Sequence, residues 1–138
     1  MQVVFVSNYF NHHQLSFCDA LYELLEGSFC FLQTQPMEEE RVKMGWQAEE
    51  RPYVRYVQPG GTTTGGPEWQ NLLLTADVVI FGGCDDESYI RERLAAGKPI
   101  FRYNERLYKE GQWKAISPRG LLQKYKDHTR YRKAPVYF

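Results

Sequence analysis

The sequence predicts a doubly wound α/β fold, a mostly parallel sheet flanked by helices, on the strength of three observations. Short runs rich in Val, Ile, Phe and Tyr, such as "QVVFVS" and "DVVIFGG", read as strands buried on both faces. Segments with apolar residues at helical spacing stand between those runs. Glycine and proline punctuate the junctions. Strands that alternate with helices imply right-handed crossovers and therefore parallel neighbours.

Each element follows in order. "QVVFVS" is the first strand. Asn11 is placed to cap the helix after it, whose apolar positions Leu15, Cys18, Leu21/Tyr22 and Leu25 recur at helical spacing until Gly27. "SFCFLQT" is a second strand and "YVRYV" a third; the polar stretch between them reads as a loop with a helical turn at "MEEERVKM". Proline and repeated glycine in "QPGGTTTGGP" forbid a continuous element. "PEWQNLLLTA" is a helix with Pro67 near its first turn. "DVVIFGG" is the clearest strand. The helix of "DDESYIRERLAAG" follows it, with Asp85 and Asp86 as candidate caps and Gly97 at its end. "KPIFRY" is another strand, "SPRGLLQKYKDHTRYRK" a helix opened by a Ser-Pro cap, and "PVYF" starts an element left unfinished.

At 138 residues the chain suits one domain, and its 43% hydrophobic and 25% charged residues are ordinary for a globular protein. A formal net charge of zero gives no general case for a nucleic-acid partner. No apolar run approaches a membrane span, and no signal peptide precedes the first strand. Three widely spaced cysteines, Cys18, Cys30 and Cys84, argue for free thiols in a reducing compartment. The expected location is cytoplasmic, or at most peripheral to the inner face of the membrane. Between Arg119 and Lys133 lie Lys124, Lys126, Arg130 and Arg132 against one acid, Asp127. That basic end reads either as a solvated helix face or as a contact for phosphates or an anionic membrane surface.

Ligands of such sheets bind beyond the carboxyl ends of the strands, at the switch point. The residues there are Ser7 to His13, Gln33 to Pro36, Gly82 to Asp86 and Tyr103 to Arg106. A dinucleotide loop needs glycines after the first strand, and "SNYFNHH" has none. "GGTTTGGPEW" lacks the lysine of a phosphate-binding Walker loop. The first loop is also neither acidic like that of receiver domains nor hydroxyl-rich like that of flavodoxins, so no cofactor is expected. His12 and His13 are adjacent, which on a helix sets them about 100° apart and poorly placed to share a metal ion. No Cys-x-x-Cys or His-x-x-x-His accompanies them. What remains is a histidine at a helix start that takes a proton from a hydroxyl, or a capped helix start with one histidine packed and one solvated. Facing the ligand edge, the loop as a whole favours the first.

Several stretches together resemble the amino-terminal domain of bacterial GT-B glycosyltransferases of the capsular and exopolysaccharide type. They are "FVSNYFNHHQ", "CDALYELL", "PMEEERVKMGW", "ADVVIFG", "RLAAGKPIFRYNERLYKEGQW" and "SPRGLLQKYKDHTRYRKAPVY". The resemblance runs over nearly the whole chain and is most specific in "FNHHQ" and "FRYNERLYKEG". It implies a Rossmann-like domain, residues 1–138, that shapes the acceptor pocket of a two-domain enzyme. The nucleotide-sugar donor would be held by a carboxy-terminal domain absent from this chain. Carried over, it makes His12 or His13 the base and places Asn8, Asn11, Arg102, Glu105 and Arg106 as partners of a glycan or lipid-linked acceptor. Arg102 and Glu105 read equally as a structural ion pair. The glycine pair that many retaining members keep in the first loop is absent, so the stereochemical outcome stays open. The other reading is a free-standing flavodoxin-like binding or regulatory module without catalysis.

Overall fold

A computed structural model of the chain describes residues 1–57, 69–83, 88–103, 116–129 and 136–137. The expectations for the glycine-rich loop 60–67, for Cys84 and for capping by Asp85 and Asp86 lie outside those residues.

The described chain runs β1 (Val3–Ser7), α1 (His12–Leu24), β2 (Phe29–Gln33), α2 (Glu39–Lys43), β3 (Val54–Tyr56), α3 (Trp69–Thr75) and β4 (Val78–Phe81). It continues with α4 (Ser88–Ala95), β5 (Ile100–Arg102), α5 (Pro118–Thr129) and β6 (Val136–Tyr137). The strands form one six-stranded sheet in the order β3-β2-β1-β4-β5-β6. Every pairing in it is parallel. The fold is therefore α/β and Rossmann-like, as the alternating pattern predicts.

Period two in the strands divides the core into two layers. Val4, Val6, Leu32, Val79, Phe81 and Ile100 pack with Leu72 and Leu73 of α3 and Ile90 of α4. Val3, Phe5, Phe29 and Phe31 face the other way, against Cys18 of α1 with Phe10 and Tyr53. Helices cover both faces, which is why β1 and β2 read as unbroken apolar runs.

Local signals set the element ends. Asn11 caps α1: its side-chain oxygen accepts the His13 N–H at 2.9 Å, and Gln14 reaches back to the Asn11 N–H at 3.3 Å. After α1, Glu26 and Gly27 are both left-handed, at φ 49 and 82, and the Gly27 N–H donates to the Tyr22 carbonyl at 3.0 Å. The Ser117 hydroxyl accepts the Gly120 N–H at 3.1 Å, the predicted Ser-Pro cap of α5. In "PVYF", Val136 and Tyr137 form β6 and pair with Ile100 and Phe101 at the sheet edge. A pairing that short leaves no periodic pattern to read.

A fully buried arginine joins the helical layer to the sheet. The guanidinium of Arg93 donates to the carbonyls of Ala76 at 2.9 Å, Asp77 at 3.0 Å and Leu73, while its Nε donates to Pro99 at 2.8 Å. The carbonyls at the end of α3 thereby gain donors that the helix cannot supply. Burial pulls the Arg93 pKa below its ordinary value.

Candidate functional site

The chain winds outward from β1 to β3 and then returns to β4 on the other side of β1, so the sheet has its switch point between β1 and β4. A cleft of about 670 Å³ opens there. Ser7, Asn8 and Tyr9 line it from the turn after β1, and Asn11, His13 and Gln14 from the start of α1. Gly83 and Tyr103 close it from the ends of β4 and β5, and Arg41 and Trp46 form the wall opposite.

The turn is held by its own polar groups. The Asn8 N–H donates to the Gly83 carbonyl at 3.1 Å, which fastens it to the end of β4. The Asn8 side-chain oxygen accepts from the Tyr9 N–H at 2.9 Å and the Ser7 hydroxyl at 3.2 Å. Beneath the turn, buried Gln33 accepts the Phe10 N–H at 2.9 Å and donates to the Gln35 carbonyl at 2.7 Å. Both ends of Gln33 are thus committed to holding loops. An unpartnered amide in that place would be costly.

The far wall is an aromatic and cationic stack. The Arg41 guanidinium carbon lies 5.4 Å from the Tyr9 ring centre and 4.7 Å from that of Trp46. The Arg41 Nε donates to Glu38 at 3.0 Å. His12 and His13 both meet the Trp46 ring edge-on, with centroids 5.8 and 5.4 Å away. The Trp46 carbonyl accepts the His12 N–H at 3.3 Å and stands 3.3 Å from His12 Nδ1. A bridge between Asn11 and Gln47 continues the contact.

The sequence-predicted residues divide. Asn8, Asn11 and His13 come together in the cleft. His12 is exposed and packs on Trp46 outside the lining. Its ring lies 3.9 Å from that of His13, which corrects the expectation that adjacent histidines point apart: only the Cα–Cβ directions diverge, and both rings fold toward the tryptophan. Arg102, the last residue of β5, is half-buried and not among the lining residues. Alternation gives it the side of Ile100, toward α3 and α4, and gives Tyr103 the cleft side, 6.0 Å from the Phe5 ring. That corrects its expected place at the cleft. Glu105 and Arg106 lie outside the described residues.

Sequence reasoning gave Arg41 and Trp46 no role, and it reached Tyr9 and Tyr103 only as members of the strand-end stretches Ser7 to His13 and Tyr103 to Arg106. The available signal was a tryptophan and an arginine in an otherwise acidic loop, "EEERVKMGW". Among the described residues, no three His, Cys, Asp or Glu side chains gather as a metal shell needs. The arrangement offers ring faces for the C–H face of a sugar, amides for its hydroxyls, an imidazole for one proton and a cation for an anionic group. Comparison with family models, curated proteins and solved structures finds no match to the chain.

Proposed function

We propose that the cleft is the acceptor wall of a glycosyltransferase whose nucleotide-sugar donor is held by a further domain. The observation that carries this is the convergence of Asn8, Asn11 and His13 with the rings of Tyr9, Trp46 and Tyr103 at the switch point of the sheet. The resemblance in "FNHHQ" and "FRYNERLYKEG" supports the same reading. In the proposed step the acceptor hydroxyl gives its proton to a ring nitrogen of His13 as its oxygen attacks the anomeric carbon, and the donor's diphosphate departs with the bonding pair. His13 is favoured over His12 because it lines the cleft. Asn8 and Asn11 hold the acceptor; Glu105 and Arg106 are assigned to the same edge by the resemblance alone.

A lipid-linked acceptor fits a further feature. Helix α5 exposes Leu121, Leu122 and Tyr125 beside Arg119 and Lys126, a pairing of apolar and basic residues suited to an anionic bilayer surface. Among the described residues no helix is long and apolar enough to cross a membrane.

Calorimetry of the 138-residue chain with UDP- and GDP-sugars tests the division of labour. Binding weaker than micromolar is expected; sub-micromolar binding would overturn the reading and favour a self-contained binding module. In the protein carrying its donor domain, His13→Ala lowers kcat at saturating donor by about 10²–10⁴-fold. Wild-type rates in both His12→Ala and His13→Ala remove a histidine base. Co-sedimentation of the chain with vesicles containing anionic lipid, and not with neutral ones, checks the membrane contact.

A further inference from the structure

We propose that the chain carries a second binding site, for a small aromatic or alicyclic amine, beyond the carboxyl ends of β2 and β3. It rests on a separate cavity and not on the acceptor reading.

The cavity measures about 570 Å³, within the range of small-molecule sites, and shares no lining residue with the cleft at β1 and β4. The two lie back to back. In Tyr9/Phe10, Arg41/Val42 and Trp46/Gln47 the first residue lines the cleft and the second lines the cavity. One thickness of chain therefore presents rings and a cation to one side and a mainly apolar wall to the other.

Phe10 and Val54 belong to the core beneath the cavity, with Ala48 beside them. Val42 and Tyr56 form its sides and remain 41% and 43% exposed, so part of their apolar surface meets solvent. A flat apolar ring would remove that surface from water.

Charge at the opening selects the other end of the ligand. Glu49, Glu50 and Arg51 line it. Arg51 is tied at 3.0 Å to Asp19, which lies outside the lining, and at 3.1 Å to Glu49. Its positive charge is thereby matched, while the Glu50 carboxylate has no cation bonded to it among the described residues. Gln33 has both polar ends engaged in holding loops, so the charge at the opening falls to Glu49, Glu50 and Arg51. The opening thus favours an ammonium over a carboxylate.

Fluorine NMR titration of 4-fluorophenethylamine, 4-fluorophenylethanol and 4-fluorophenylacetate into the chain tests this, with backbone amide shifts locating each probe. Expected are submillimolar binding of the amine, shifts at Phe10, Ala48 and Val54, and an amine preference of about two- to five-fold over the alcohol, the size of an exposed ion pair. Glu50→Gln should erase most of that preference, and Val42→Ser or Tyr56→Ala should weaken all three probes. Both of those positions are partly exposed, and circular dichroism checks that each variant folds. The proposal is overturned if no probe binds at millimolar concentration, if the carboxylate binds as well as the amine, or if shifts fall instead on His13 and Trp46.

Discussion

Gly82 sits where the end of β4 passes the ring of Phe5. A Cβ there would lie 2.8 Å from the Phe5 Cε1, 3.1 Å from its Cζ and 3.3 Å from the Ser7 hydroxyl. The ring cannot yield, being buried and stacked on Phe31 with centroids 5.4 Å apart. Gly82→Ala should cost about 1–3 kcal/mol in urea denaturation, and an unchanged midpoint would contradict the packing account. A second residue-scale device bounds stability in pH. The Tyr53 hydroxyl donates to Asp19 at 2.6 Å and Arg51 pairs with it, together holding the Asp19 carboxyl below its ordinary 3.8. As pH falls the unfolded chain takes up that proton first, so the contribution is complete above about pH 4 and drains away below it. Burial, then the bond to Asp19, pushes the Tyr53 phenol above its ordinary 10.0. Above about pH 10 the unfolded chain releases that proton first, and stability falls again. Tyr53→Phe should flatten the alkaline limb and shallow the acid limb of Tm against pH; identical curves would refute the linkage.

At the scale of elements, local chemistry and distant contact part company. The start of α1 was legible because Asn11, His13 and Gln14 lie within one turn and cap one another. The lock between α3 and α4 was not, because Arg93 meets carbonyls 16 to 20 positions earlier in the chain. Helical spacing sets Arg93 on the face of Tyr89 and Ile90, away from the exposed Arg91, but nothing in "YIRERLAAG" shows which carbonyls receive it. Replacing Arg93 by Met removes the donor from the buried carbonyls of Leu73 and Ala76 and from the part-buried ones of Asp77 and Pro99, at a cost of about 3 kcal/mol or more. Arg93→Lys, with its smaller set of donors, should recover only part. Thermal unfolding of both variants checks the order wild type, Lys, Met.

At the scale of the molecule, the two described cysteines report on opposite layers. Cys18 lies in the α1 layer and Cys30 in the layer of α3 and α4. Both thiols are free and buried, and burial pushes them up to about 12 and about 11. With so little thiolate and no access, neither should react with iodoacetamide at neutral pH until the molecule opens. Mass-mapped labelling in rising urea should show both at the global transition; earlier labelling of one would reveal a layer that opens alone. The same two layers mark how far the sequence carried. Alternation of apolar runs with helical spacing determined the class of fold, the main described elements and the caps at Asn11 and Ser117, because those depend on residues within a few positions of each other. Tertiary structure decided the strand order, the partition between cleft and cavity, and the company that His13 keeps. Trp46 reaches His12 across 34 positions of chain, and Tyr103, not Arg102, turns to the cleft because of the register of β5 against β4. Such contacts are selected by burial and packing over the whole core, and no local window of sequence contains both partners.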